Sequence, residues 1–533
     1  MTSPASGPGR LAGLVSGDAD WSQLRVLVAG IGLSGFAAAD ALVERGARVV
    51  VVDGADGAAQ RERALILDTL GADVRLGPDA VAGPLPEVAG PGGRGLPDVV
   101  VASPGWPPGA PPLAAAAAAG VPVWSEVELA WRMRPPSGAA RWLTVTGTNG
   151  KTTTVTMLAA ILSAAGLSTS AVGNVGTPVL EAVLHPFSGG RRHDVLAVEL
   201  SSFQLHSTSS VSPLASACLN VAADHLDWHG GLEEYARDKG RVYRNTQVAC
   251  VYNVADPRTE QLVRDADVVE GCRAIGFTLG VPDVSMLGVV DDVLCDRAFV
   301  PQRRTSAAEL ATLDDVRAGA GGGPGGPPAP HLVANALAAA GLARAAGVPA
   351  VAVRDGLRGL VPPPHRLARV AESGGVTWVD DSKATNLHAA DAAMRSFERI
   401  VWIAGGLAKG AGPGEFDDLV RRHAARLRGA VLLGRDRDLV AQALRRHAPD
   451  LPLLEVAVAE TDDVTGAVVG ARPADPAALM DRVVAAAASL ARPGDAVLLA
   501  PACASFDQFA SYSARGDAFA DAVRRHLDRP AEG

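Results

Sequence analysis

Residues 142–162, WLTVTGTNGKTTTVTMLAAIL, constrain the fold more than any other stretch. A strand pattern runs into a glycine-bounded turn, and the turn opens a helix. At such a junction backbone N–H groups and the helix N-terminus converge on phosphate oxygens. The loop comprises Gly147, Thr148, Asn149, Gly150, Lys151, Thr152 and Thr153. Lys151 can reach the outer phosphates, and the Thr152 hydroxyl can hold Mg2+. Val145 stands where the strict phosphate-loop pattern has its first glycine, so the motif is a shortened GxxGKT. The bland alternative is a chance turn. A strand followed directly by a helix implies a parallel sheet with crossover helices.

The theme recurs on both sides. RVLVAG, then GIGLSG, then an alanine-rich helix and ARVVVVD ending in Asp53 form a first strand–turn–helix–strand unit. Its glycines suit a phosphate-approaching turn, and Asp53 is placed to bond a ribose. Close packing by small residues would look the same. A further strand ends in the turn SPGWPP, and residues 83–97 read as a loop. After the phosphate loop, Glu199 closes an apolar strand, and Asp224, His225 and Asp227 follow another. Ligands of open α/β sheets collect at the carboxyl ends of strands, so Glu199 and His225 are expected beside the phosphates as a Mg2+ site. A β-rich stretch to about residue 300 follows, and residues 314–330 read as a low-complexity surface loop. Asn335 lies on the next helix. From about residue 360 a third set of strands, VTWVDD, IVWIAGG, GAVLLG and DAVLLAPA, alternates with helices. The expected fold is α/β in three domains. These are an N-terminal Rossmann-like domain (20–137), a central phosphate-loop ATPase-like sheet (138–362) and a C-terminal Rossmann-like sheet (363–533).

The 533 residues also fit about three domains by length. The net charge of -9 and the lack of a basic stripe argue against a nucleic-acid partner. Five cysteines without CxxC spacing read as reduced thiols of a cytoplasmic protein. No signal-peptide pattern or membrane-spanning run is present in the sequence. Lysine is scarce. Of 49 basic residues only Lys151, Lys239, Lys383 and Lys409 are lysines. In an arginine-rich chain each of the four marks a place where a guanidinium would not serve.

TVTGTNGKTT, GNVGTP, ELSSFQL, DHLDWHGGLEEYARDK, PHRL, DDSKATN and PACASFDQF occur in that order. Together they resemble the Mur ligases of bacterial cell-wall synthesis, over about residues 22–525. ELSSFQL with ACASFDQF favours the D-glutamate-adding branch. The resemblance implies ATP-dependent amide formation in peptidoglycan precursor synthesis, and with it a part in cell shape and division. The carboxylate of UDP-N-acetylmuramoyl-L-alanine would be activated as an acyl phosphate, which the amine of D-glutamate then attacks.

Site residues are implied position by position. Thr152, Glu199, His225 and Lys239 match ligands of two Mg2+ sites, with Lys239 carbamylated by CO2. Lys151, His225 and Lys239 match catalytic positions. The phosphate loop, Asn335, Arg366 and Asp381 match ATP contacts. Leu33, Ser34, Asp53, Gly105, Asn174 and Ser201 match contacts to the UDP substrate. Lys383, Thr385, Lys409, Ser505, Phe506 and Tyr512 match the D-glutamate site. A monomer and closure about residues 358–366 are also expected.

Some positions depart from the pattern. Gly54 and Ala55 follow Asp53 where polar or basic groups can occur, Leu332 follows His331 where Asn is common, and Tyr512 replaces a common Phe. The glycine- and proline-rich insertion at 314–330 has no counterpart. Rival readings are another Mur ligase, a folylpolyglutamate synthase-like ligase, a nicotinamide dehydrogenase and a non-catalytic UDP-sugar-binding regulator. The N-terminal segment argues against the second, and the phosphate loop with DHLD…K against the third. Loss of Lys239 or Lys409 would be tolerated in the fourth, and both are present.

Overall fold

The computed structural model describes residues 11–22, 24–90, 93–174, 176–185, 192–319, 328–361, 365–409, 411–456 and 475–528. Three larger sheets carry the chain. The first contains β1 (Arg25–Ala29), β2 (Arg48–Asp53), β3 (Asp73–Leu76), β6 (Val99–Ala102) and β7 (Val123–Ser125), in the order β3-β2-β1-β6-β7. All its pairings are parallel. Between β3 and β6, β4 (Val88–Gly90) and β5 (Gly93–Gly95) pair antiparallel. This corrects the expectation of a plain loop there. A Pro- and Gly-rich composition hid two three-residue strands too short to show alternation.

The second sheet has nine strands, in the order β16-β15-β14-β13-β12-β11-β8-β10-β9. They are β8 (Arg141–Thr146), β9 (Thr169–Gly173), β10 (Val195–Glu199), β11 (Ala215–Cys218), β12 (Ala249–Asn253), β13 (Arg273–Phe277), β14 (Met286–Val290), β15 (Val293–Asp296) and β16 (Ala308–Thr312). From β9 to β14 the pairings are parallel, and the last two strands turn antiparallel. β8, carrying the phosphate loop, sits between β10 and β11. The strand ends bearing Glu199 and the Asp224–His225 turn therefore flank it.

The third sheet orders β17 (Ala368–Ser373), β18 (Val376–Asp380), β19 (Ile400–Ala404), β20 (Leu427–Leu432), β21 (Leu453–Glu455) and β22 (Ala496–Leu499) as β17-β18-β22-β19-β20-β21. Only the β17–β18 pairing is antiparallel.

The helices that position the site are, in chain order, α1 (Leu33–Glu44), α2 (Glu126–Arg132), α3 (Lys151–Ala164), α4 (Val179–Leu184), α5 (Ser202–His206), α6 (Leu226–His229), α7 (Leu232–Gly240), α8 (Leu313–Gly319), α9 (Pro330–Ala345), α10 (Ala350–Arg358) and α11 (Tyr512–Leu527). Residues 313–319 are thus helical where a loop is expected. The central part of that insertion (320–327) and residues 362–364 of the expected hinge lie outside the described residues.

The chain divides into two compact units, residues 1–316 with 332–360, and residues 317–331 with 361–533. The first unit holds two of the larger sheets because one apolar core runs across both. Trp124, Val127 and Leu129 pack with Trp142, Val179 and Leu180. Polar contacts reinforce the join. The Leu180 N–H at the start of α4 donates to the Glu126 carboxylate at 2.6 Å, and Glu128 accepts from the Ser209 and Ser210 backbone N–H groups at 2.8 and 2.9 Å. Burial pushes the Glu126 carboxyl up to about 7. Among the described residues no helix is long and apolar enough to cross a membrane.

α10 lies against α3 at a glycine. A Cβ on Gly356 would sit 2.4 Å from the Ile161 Cα. Alanine at 356 would gain about 1 kcal/mol in helix propensity. Driving the two backbones apart costs about 1–3 kcal/mol. The clash outweighs the propensity, so Gly356→Ala should lower the urea midpoint by the equivalent of about 1 kcal/mol with an unchanged slope.

Candidate active site

β8 ends at Thr146, and the backbone turns through Gly147 and Gly150. Gly150 caps α3 with φ of 85°, and a Cβ there would meet the Asn335 Oδ1 at 2.4 Å. The positive φ favours glycine, and any side chain there would also displace the Asn335 amide. The turn is braced from the segment that follows β11. The Asn149 N–H donates to the Asn220 Oδ1 at 2.9 Å, and the Asn220 side-chain amide donates to the Asn149 carbonyl at 3.1 Å. The Thr148 hydroxyl lies 3.0 Å from the Tyr235 hydroxyl of α7.

Three expected residues meet at the start of α3. The Thr152 hydroxyl donates to Glu199 Oε2 at 2.7 Å, and the Asn174 amide donates to Glu199 Oε1 at 3.2 Å. A buried carboxylate and a hydroxyl in contact are hard oxygen donors that fit one Mg2+, with phosphate and water completing its shell. Among the described residues no group of three His, Cys, Asp or Glu side chains is set to hold a metal.

Two lysines converge on one carbonyl. Lys151 Nζ donates to the Gly147 oxygen at 2.8 Å, and Lys239 Nζ donates to the same oxygen at 2.9 Å. Lys239 is only 1% exposed. Burial, followed by the charge of Lys151, lowers its amine from 10.5 to about 7, against the partial opposition of Cys218, Asp224 and Glu199. An amine poised near neutrality can be unprotonated and take up CO2. As an ammonium Lys239 cannot bind a cation; as a carbamate it offers two more oxygens. A second divalent ion would fit beside Lys239 only if that residue were carbamylated. His225 opens α6 in the left-handed region (φ 52°), with its ring 5.0 Å from that of Phe203 and its Nε2 3.7 Å from Asp224.

An open cleft of about 660 Å3 lies over the first sheet, lined by Leu33, Ser34, Asp53 and Gly105 together with Trp106. Asp53 accepts from the Ile31 N–H at 2.8 Å and the Ala55 N–H at 2.9 Å. Its carboxylate thus braces the glycine turn as well as facing the cleft. Ser201 caps α5 in a reciprocal box with Gln204.

In the second unit the Lys383 ammonium sits 3.7 Å from the centre of the Tyr512 ring. Asp381 accepts from the Leu367 N–H at 3.1 Å, and burial raises its carboxyl to about 7 against the nearby charge of Arg366. Thr385 donates its N–H to the Lys383 carbonyl, Ser505 is buried, Phe506 is exposed, and Lys409 adopts φ of 52°. The sequence reading missed Arg515. Its buried guanidinium donates to the Ser382 hydroxyl and carbonyl and to the Cys503 carbonyl, at 2.9–3.2 Å. It therefore ties the loop bearing Lys383 to the loop bearing Ser505. One arginine among 45 carries no signal that would single it out.

Two family models match, the Mur ligase middle domain over residues 145–289 and the Mur ligase glutamate ligase domain over residues 365–503. A protein of Streptomyces avermitilis named UDP-N-acetylmuramoylalanine–D-glutamate ligase is 55% identical, covering 95% of this chain and 99% of the relative. A protein of the same name from Thermobifida fusca is 52% identical over 94% of this chain and 98% of its own. The UDP-N-acetylmuramate–alanine ligase structure from Thermotoga maritima superposes with a TM-score of 0.52 at 16% identity, covering 95% of this chain and 99% of that one, a likeness of fold. By its matched domains and its full-length relatives, the chain belongs to the Mur ligase family.

Proposed function

We propose that this ligase joins D-glutamate to UDP-N-acetylmuramoyl-L-alanine at the expense of ATP, acting as a monomer. The observation that carries this is 55% identity along nearly the whole chain to a ligase of that name, together with a phosphate loop whose hydroxyl and carboxylate partners are already in contact. In this reading residues 20–137 bind the UDP moiety at the cleft beside Asp53 and Gly105. Residues 138–362 bind ATP, and residues 363–533 bind D-glutamate.

The chemistry brings a carboxylate toward a triphosphate, so charge repulsion dominates the barrier. Mg2+, when bound, would supply neutralisation of the phosphate charge. Thr152 and Glu199 would hold one ion, and His225 with carbamylated Lys239 the other. The Gly147–Thr153 backbone and Lys151 orient the phosphates, with Asn335, Arg366 and Asp381 at the rest of the nucleotide. Asn174 and Ser201 orient the muramoyl-alanine carboxylate. That carboxylate attacks the terminal phosphorus and ADP leaves. Lys383, Thr385 and Lys409, with Ser505, Phe506 and Tyr512, hold D-glutamate so that its neutral amine attacks the acyl phosphate. The resulting tetrahedral centre collapses to the amide, and phosphate leaves with the proton that the amine gives up.

The test is phosphate release with UDP-N-acetylmuramoyl-L-alanine and one amino acid at a time. Release is expected with D-glutamate and absent with L-glutamate, L-alanine or meso-diaminopimelate. Release with one of the others would move the chain to another branch of the family.

A further inference from the structure

Beside the phosphate loop, three short helices meet on one carboxylate. α5 ends at His206, α6 ends at His229, and α7 carries Asp238 one residue before Lys239. Helices of five, four and nine residues have little stability of their own, so the contacts among them fix their placement. Asp238 Oδ2 is 2.9 Å from both the His206 Nδ1 and the His229 Nδ1. Its other oxygen is 3.2 Å from the Arg241 Nε, and Arg241 also donates to the His206 carbonyl. With both Nδ1–H groups donating to the carboxylate, the His229 Nε2, 2.9 Å from the Ser202 hydroxyl, accepts from it. Trp228 fills the space between them, its ring 4.4 Å from His229, 4.6 Å from Phe203 and 5.4 Å from His206. Ser202, His229 and Asp238 have the spacing of a hydrolytic relay, but Ser202 is 4% exposed and heads a helix, so the string is a brace.

Neighbouring residues on a helix point about 100° apart. Asp238 therefore faces α5 and α6, while Lys239 reaches the Gly147 carbonyl. We infer that Asp238 is a positioning residue for Lys239: by tying the ends of α5 and α6 to α7, its carboxylate sets the rotation at which Lys239 meets the phosphate loop. This rests on the reading of Lys239 as the residue that carries CO2. Asparagine keeps the shape of Asp238 but not its charge, and its one oxygen can serve either the two imidazoles or Arg241, so its amide faces an N–H donor in either orientation.

The experiment compares wild type with Asp238→Asn and His206→Gln. Lys239 carbamate is read by 13C NMR in 13C-bicarbonate, and kcat and KM are measured for ATP and D-glutamate. For Asp238→Asn, kcat should fall roughly 10–100-fold, the usual effect of removing a partner that orients a ligand. The carbamate signal should fall with it, and both KM values should stay near wild type. His206→Gln removes one donor only, should fold if Asp238→Asn does not, and should show a smaller loss in the same two readouts. Folded Asp238→Asn, or His206→Gln in its place, with wild-type carbamate and kcat would overturn the inference. Absence of the carbamate signal from wild type would remove the Lys239 reading and the inference together.

Discussion

Lys239→Arg is expected to fold and to release phosphate roughly 10³-fold more slowly than wild type, whatever the CO2 concentration. Arginine keeps a positive charge on α7, so a role for charge alone would be preserved. It does not deprotonate in the working range and cannot form a carbamate. The pH dependence sharpens the expectation. The Lys239 amine lies near 7 because of burial and the charge of Lys151. Below that pH it is protonated and does not react with CO2. Activation of the wild-type enzyme by bicarbonate should therefore grow as pH rises through 7, and Lys239→Arg should show none. Stability follows by linkage. Between about 7 and 10.5 the unfolded chain binds more protons at this residue than the folded chain, so folding stability due to Lys239 rises with pH. In CO2-free urea titrations the difference between wild type and Lys239→Met should shrink from pH 7 to pH 10. A pH-independent difference would contradict the assigned burial of an ionisable amine.

Lys151→Ala is expected to lower kcat/KM for ATP by roughly 10²–10³, the usual scale for removing a fixed cation or donor from a developing phosphoryl charge. A second effect follows from the shared carbonyl. Lys151 and Lys239 both donate to the Gly147 oxygen, and their repulsion is one cause of the lowered Lys239 amine. Removing Lys151 should move the bicarbonate-activation midpoint to higher pH, read from residual turnover at saturating ATP. An unshifted midpoint would mean that burial alone sets the Lys239 amine.

Much of the arrangement around the phosphate loop was legible because rare residue types fall at strand ends. Gly147, Gly150, Lys151 and Thr152 announce themselves by the turn they permit, and Glu199 by closing an apolar strand that proves to be adjacent to β8. The scarcity of lysine singled out Lys239, and the structure finds it buried with a lowered amine. What stayed hidden is long-range bracing. Asp238 reads as one more charge on a polar helix, and only the meeting of α5, α6 and α7 turns it into a shared acceptor for two histidines. Arg515 is hidden for the same reason, because its three acceptors come from loops at residues 382 and 503. Short elements were also missed. The β4–β5 pair and α8 lie in glycine- and proline-rich stretches where periodicity has too few residues to register.

The most direct measurement is the mass of the nucleotide product after incubation with ATP, Mg2+ and UDP-N-acetylmuramoyl-L-alanine, with either D- or L-glutamate. The expected result is a product heavier by one glutamyl residue with the D-isomer only, formed in step with ADP. An unchanged nucleotide with the D-isomer, or equal addition of both isomers, would contradict the account.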